Sequence, residues 1–340
     1  MTDNTAQERF TQLDQGRSVI LDRVREAAEL TIPALMPPEG HTEQSDLPTP
    51  YQSIGSRGVN NLASKLLLSL LPPSQSFFRL RLDEKALQAL TEAGADRGKI
   101  DTALRNRENV IMRFIERGNL RPMLFAALKQ LVVTGNAVLY LPKSGESQMY
   151  RLDQYVVVRD PAGTVTELLI KESAHPKSLP EEVIEACDVD TNDDKKSCDI
   201  FTRVWLERPG FYKWAKEINE TTVPGSEGQA KKEDLPWLVL RWQAVENEDY
   251  GRGLVEEYLG DLRSHDGMSK AILSFSAVAA KIIFLVKPNS TTNPKELSAA
   301  ESGDFKFGDE DDISILGLEK FNDFRVTKEV LDELTLRLSH

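Results

Sequence analysis

The sequence predicts an α+β fold, mainly α, in which helical modules alternate with small β-rich ones. Three observations predict it. Apolar residues recur at helical spacing over most of residues 10–134, and short β-prone runs follow between 136 and 242. A long helical pattern over 253–280 is then separated from a last helix by a second short β stretch. Helix, β insert and helix in that order predict a helical hairpin with a knob on its end.

Taken in order, Phe10, Leu13, Ile20, Val24, Ala27 and Leu30 predict one long helix, stopped by Pro33, Pro37 and Pro38. A polar, Pro-rich loop fills 37–52. A second helix spans 53–71 and ends at Pro72 and Pro73, with Ile54, Leu62, Leu66 and Leu70 as its expected core face. Residues 77–82 look strand-like, and helical patterns return at 84–93, 101–117 and 120–134. After Gly135, strands are expected at 136–141, 148–152, 155–159, 164–171, 200–208, 211–217 and 237–242, with a turn at Asp160-Pro161-Ala162-Gly163. Residues 186–199 and 219–235 read as polar loops. Tyr250-Gly251-Arg252-Gly253 precedes the long helix. Gly251 and Gly253 there suit a sharp change of chain direction, because glycine admits positive φ and close backbone approach. Short strands are expected at 281–286, 305–307 and 313–316, around the acidic turn Asp309, Glu310, Asp311 and Asp312. The last helix begins near Asn322 or Asp323.

The chain has 340 residues and a formal net charge of −12. It is long enough for two or three modules, and its composition argues against global disorder. No apolar run approaches the roughly 20 residues that span a bilayer, and the first residues lack the basic and apolar regions of a secretory signal. Cys187 and Cys198, the only two cysteines, suit free thiols in a reducing compartment. Sequence-independent DNA binding needs Lys and Arg to displace counterions from phosphate. An acidic chain should therefore repel nucleic acid unless a local patch reverses the sign.

Motifs for catalysis are missing. There is no P-loop and no G-x-S-x-G; Gly251-Arg252-Gly253 lacks the third glycine of a dinucleotide fingerprint. His41, His175, His265 and His340 are not paired at metal-ligand spacing, and His265 reads as a polar or interfacial helix residue. The turn 309–312 lacks the alternating ligands and glycine of an EF-hand, so a solvated acidic turn is expected. Trp205, Trp214, Trp237 and Trp242 fall on β-prone runs, where aromatics are usually core or interface residues. No catalytic, cofactor-binding or metal-binding residue is assigned.

Three stretches carry a family resemblance. Residues 50–73 (PYQSIGSRGVNNLASKLLLSLLPP), followed by Phe77-Phe78-Arg79-Leu80, resemble the N-terminal signature of portal proteins from short-tailed, autographivirus-type bacteriophages; 25–33 (REAAELTIP) resemble the helix before it. Residues 249–262 (DYGRGLVEEYLGDL) resemble the entry to the first stem helix of that family. Residues 284–289 (FLVKPN), 303–305, 312–316 and 323–324 resemble its clip and the start of its second stem helix. The likeness is collinear over nearly the whole chain.

The resemblance implies an α/β wing over 1–250, a first stem helix over 251–282, a clip-like β knob over 283–320 and the start of a second stem helix over 321–340. The crown would be missing, because family members continue further, and the chain would be a fragment or a prematurely ended reading frame. The resemblance also implies a twelve-subunit ring at the portal vertex of the virion, assembled from protein made in the host cytoplasm. Its partners would be the terminase large subunit, tail adaptor proteins, capsid and scaffolding proteins, and double-stranded DNA passing without sequence specificity; no membrane is involved. A non-enzymatic conduit is the expected role. The alternative is another capsid or tail-adaptor protein sharing a helical hairpin. A metal-dependent nuclease lacks the paired His or Cys ligands it would need.

Overall fold

A computed structural model describes residues 5–73, 76–94, 96–143, 146–191, 197–279, 283–288, 293–301, 304–305, 307–316 and 321–339. The chain divides into two units, residues 1–259 and 260–340.

The first unit opens with two helices where the periodicity predicted one. These are α1 (Ala6–Gln15) and α2 (Ser18–Glu29). A reciprocal capping box starts α1: Thr5 Oγ1 accepts from Glu8 N–H at 3.2 Å, and Glu8 Oε2 accepts from Thr5 N–H at 3.3 Å. The break falls at Arg17, which is buried. Its guanidinium donates to the Leu152 carbonyl at 2.7 Å and pairs with Asp14 at 2.7 Å. A charge held out of water needs such partners, and the turn brings it to them. Helices α3 (Ile54–Leu70), α4 (Glu84–Glu92), α5 (Arg97–Arg117) and α6 (Leu120–Thr134) follow. The expected strand at 77–82 does not form. Leu80 N–H donates at 2.7 Å to the carboxylate of Glu108 on α5 instead of to a neighbouring strand.

Helix α6 is the buried axis of this unit, with Ala127, Leu128, Leu131, Val132 and Val133 all in the core. Its neighbours are α3, α2 and, further on, α8 (Leu254–Glu257). Gly135, at φ +74°, stops it in the left-handed conformation that glycine adopts without strain, and the chain enters β1 (Asn136–Tyr140). Antiparallel β2 (Gln148–Tyr150) flanks β1 on one side. The second sheet is an antiparallel meander of β3 (Tyr155–Arg159), β4 (Val165–Ala174), β5 (Cys198–Arg208) and β6 (Phe211–Ile218). The short α7 (Glu181–Ala186) lies between β4 and β5 in sequence. Two further strands, β7 (Thr221–Thr222) and β8 (Gly228–Lys231), pair with β6 inside the stretch expected to be a polar loop. Then β9 (Trp237–Arg241) returns to the other side of β1, pairing Asn136 with Arg241 and Tyr140 with Trp237.

Apolar packing joins these layers. Phe10 of α1 meets Phe201 of β5 edge to face at 5.7 Å, over Val156 and Leu169. Trp214 and Trp237 pack edge to face at 5.3 Å. Cys187 and Cys198 are free buried thiols in one cluster with Val189 and Ile218, and burial pushes both thiols up from their ordinary value.

The helical pattern over 253–280 is interrupted once, at Tyr258, before α9 (Leu259–Ala279). In the second unit, β10 (Ile283–Val286) and β11 (Ile313–Leu316) form a two-stranded antiparallel ribbon, with the short α10 (Pro294–Ser298) between them in sequence. Residues 281 and 282, expected to belong to that first strand, lie outside the described residues. Phe305 and Phe307, expected in a strand, are fully exposed coil, and Lys306 between them lies outside the described residues. The last helix is α11 (Phe321–Ser339). Arg337 donates to both carboxylate oxygens of Asp261 at 2.9 and 2.8 Å, and His265 Nε2 lies 2.9 Å from Thr335 Oγ1. As numbers rise on α9 their partners fall on α11, so the two helices run antiparallel. Among the described residues, no helix is long and apolar enough to cross a membrane.

Candidate functional site

The expected hinge at Gly251 and Gly253 is a place where three backbone segments touch. The end of α6, the end of β9 and the start of α8 converge there. A Cβ on Gly251 would lie 2.7 Å from the Gly135 carbonyl oxygen and 2.9 Å from Arg241 Cβ. One on Gly253 would lie 2.4 Å from the Val133 carbonyl oxygen, and one on Gly135 would lie 2.3 Å from the Arg252 carbonyl carbon. Close approach is what these glycines supply. Positive φ belongs to Gly135 and not to Gly251 or Gly253.

Each residue from 249 to 252 has a hydrogen-bonding or ionic partner at this junction. Asp249 Oδ1 accepts from Arg159 N–H at 2.6 Å, and its carbonyl accepts from Arg159 Nε at 3.0 Å. The Tyr250 hydroxyl accepts from Val157 N–H at 3.2 Å, while its ring lies 5.5 Å from the Arg17 guanidinium. Burial raises the Tyr250 pKa, so the hydroxyl stays protonated. Gly251 exchanges two hydrogen bonds with the side-chain amide of Asn136, at 2.7 and 2.9 Å. Arg252 pairs with Glu248 at 2.8 Å and Glu256 at 2.7 Å, and Arg23 of α2 reaches Glu256 at 2.9 Å. Those bonds raise the Arg252 pKa further, and Arg252 holds Glu248 below the usual carboxylate range. Nearby, burial and the adjacent Arg241 lower the Arg159 pKa, and its guanidinium donates to the carbonyls of Gly163 and Val239.

Sequence reasoning found the glycines and missed Asn136, Arg159 and Arg23. Asn136 opens a β-prone run after a helix-ending glycine, and nothing local marks its side chain for a partner 115 residues away. The arrangement ties the ends of α6 and β9 to the start of α8 within the first unit.

The other expected positions are scattered. On α3 the buried residues are Gly55, Val59 and Ala63, with Ile54, Leu62 and Leu66 half-buried. Leu70 is 56% exposed, so the expected apolar face is corrected. At the start of the helix the neighbouring backbone comes close: a Cβ on Gly55 would lie 2.6 Å from the Leu30 carbonyl oxygen, so glycine fits there. The acidic turn is a 3-10 turn over 310–312 capped by Asp309, whose carboxylate accepts from Asp311 N–H at 3.1 Å. Asp309 and Asp311 are exposed, and the Glu310 side chain lies outside the described residues. His265, expected to be a polar or interfacial helix residue, is 8% exposed between Thr335 and Ser269. Among the described residues, no group of three or more His, Cys, Asp or Glu side chains could hold a metal ion.

The family model described as "Bacteriophage head to tail connecting protein" matches residues 3–340. The chain is 38% identical to the portal protein of Enterobacteria phage T3 over 97% of its own length and 63% of that protein. It is 38% identical to the portal protein of Escherichia phage T7 over 100% of its length and 65% of that protein. The portal protein of Enterobacteria phage SP6 is 31% identical over 97% of this chain and 64% of that protein. The chain thus spans a little under two thirds of the length of these relatives. Among solved structures, the neck of the native gene transfer agent particle computed with C12 symmetry matches 64% of this chain and 54% of that one, at 13% identity and a TM-score of 0.31. That likeness is too low to carry an argument.

Proposed function

The chain belongs to the bacteriophage head-to-tail connecting protein family, and from that premise we propose that it is a portal subunit. In this reading twelve copies form a ring at the capsid vertex. Genomic DNA is driven inward through it by the terminase motor and later leaves through it. The observation that carries the reading is the 38% identity to two phage portal proteins, continuous over nearly the whole chain. Residues 1–250 are the wing, 251–282 the first stem helix, 283–320 the clip and 321–340 the start of the second stem helix. The antiparallel pairing of α9 with α11, with the β10–β11 ribbon between them in sequence, supports the stem and clip assignments.

The role is that of a conduit, not a catalyst. The glycine junction fits it, because a wing must hand the chain to a stem in one fixed direction. The clip is the surface for the terminase large subunit during packaging and for tail adaptors afterwards, and the wing meets capsid and scaffolding proteins. The ring resides in the virion, and its subunits are made in the host cytoplasm. Electron microscopy of the purified chain tests the proposal: rings with a central hole are expected. A monomer at every concentration would overturn it. Deleting 289–312 should leave the wing folded and abolish capture of the terminase large subunit; retained capture would move the docking surface elsewhere.

A further inference from the structure

Helix α5 carries a second face that, among the described residues, nothing covers. Inward, Met112 is buried and Leu104, Glu108 and Ile115 are half-buried. Outward, Arg107, Val110, Ile111, Phe114 and Arg117 are all exposed, and Phe114 is 77% exposed. These five positions follow the spacing i, i+3, i+4, i+7, i+10, so they form one continuous stripe along about 15 Å of helix. The charge is unusual for this chain. α5 holds six bases against three acids, in a protein whose net charge is −12. Large apolar side chains flanked by arginine are the composition of an interface centre. A phosphate-binding face would not place Val, Ile and Phe at its middle.

The complementary stripe is on α11. Val326, Glu329, Val330, Glu333 and Leu336 are exposed at the same five spacings, and Leu336 is 60% exposed. One stripe reads basic, apolar, apolar, apolar, basic. The other reads apolar, acidic, apolar, acidic, apolar. Laid side by side in antiparallel register, Glu333 falls within a helical turn of Arg107, and Glu329 within a turn of Arg117. The valines and Leu336 then meet Val110, Ile111 and Phe114. Two subunits of charge −12 repel each other, and matching a basic stripe to an acidic one offsets that repulsion where they touch.

We propose that the α5 stripe of one copy docks on the α11 stripe of a second copy. The contact is heterologous, since different surfaces meet, and heterologous contacts generate rings when the rotation closes. The proposal rests on the portal reading above and names the surfaces through which its subunits associate.

The test is a charge swap with cross-linking, in the full 340-residue chain. Particle mass is measured for the parent, for Arg107→Glu with Arg117→Glu, for Glu329→Lys with Glu333→Lys, and for all four changes together. Each double variant should weaken association at least tenfold, and the fourfold variant should recover most of it. Phe114→Cys with Val330→Cys should give a ladder of chains linked between copies under mild oxidation. Circular dichroism verifies that each variant is folded. If the parent assembles but the double variants assemble equally well, the stripes are not the interface, while the portal reading stands. A cross-link closing within one chain would make α11 of the same copy the occupant and overturn the proposal. A parent that never associates would overturn both.

Discussion

The side-chain amide of Asn136 pairs with the backbone of Gly251 as a neighbouring strand would, accepting from its N–H at 2.7 Å and donating to its carbonyl at 2.9 Å. Both residues are buried. Asn136→Ala would strand both backbone groups of Gly251 away from water, at about 1–3 kcal/mol for each group left unsatisfied. A loss of about 2–5 kcal/mol in urea unfolding is expected. A loss under about 0.5 kcal/mol would show that water replaces the amide and that the pairing is incidental.

The glycines at the same junction should be intolerant of the smallest side chain. A Cβ on Gly251 or Gly253 meets backbone carbonyl oxygens at 2.7 and 2.4 Å, and those cannot rotate aside. Gly251→Ala and Gly253→Ala should each cost at least about 1–3 kcal/mol. Among the described residues, nothing lies within 4 Å of a Cβ added at Gly260 or Gly267 on α9. There, alanine should stabilise by up to about 1 kcal/mol through helix propensity. Thermal unfolding of the four variants checks the contrast, and equal effects at all four positions would refute the close-approach argument.

On α3 the expected order of importance inverts. Leu70→Ala should change stability by no more than about 0.5 kcal/mol, as an exposed substitution does. Ala63 is fully buried, so Ala63→Leu should cost about 1–3 kcal/mol by overpacking. Unfolding of the two variants in urea gives the comparison, and a Leu70 effect exceeding the Ala63 effect would restore the original face.

That inversion shows what a single sequence reveals and what it hides. The hydrophobic period of 53–71 was legible, so the helix was found. Which face meets a neighbour depends on how near the neighbour's backbone comes, and at Gly55 the Leu30 carbonyl comes so near that glycine fits there. Likewise 77–82 has strand-like residues but no partner strand, and propensity alone makes no ladder. Gly251 and Gly253 stood out because glycine before a helix invites a backbone explanation. Their partners Gly135 and Asn136 lie more than 110 residues away, beyond any local pattern. Function was legible only through the collinear family motifs, because the sequence carries no catalytic motif that would point to it directly.

His265 should make stability pH-dependent. Burial lowers its pKa below the ordinary value of 6.5, with the nearby Asp266 carboxylate opposing. As pH falls through 6.5, the unfolded chain therefore takes up the proton before the folded one does. Stability is complete above the unfolded value and is lost as pH falls from there toward the depressed folded value. Urea midpoints measured between about pH 5 and 7.5 should decline toward acid in the parent and decline less in His265→Gln. Identical slopes in the two proteins would assign the acid sensitivity to other groups.

Charge makes the last prediction. Residues 289–340 contain twelve acids and six bases, which is half of the chain's net −12 in a short stretch. Under the portal reading these acids face the channel, the clip rim or the subunit interfaces. Their field repels phosphate over about one Debye length, roughly 8–10 Å at physiological salt. Helix α5 is the opposing term, but its six bases are interrupted by three acids and by the apolar stripe. Affinity for duplex DNA falls with salt at a logarithmic slope of about −0.9 per phosphate neutralised. A face that grips six to ten phosphates loses about 10³–10⁵ in affinity between 50 and 200 mM salt. With so few bases in one line, this protein should bind DNA weakly, without sequence preference and with a shallow salt slope. A gel-shift titration at both salt concentrations decides it. Tight binding at 50 mM that collapses by 200 mM would mean that the arginines of α5 grip phosphate after all, and DNA would then adhere to the protein instead of sliding past it.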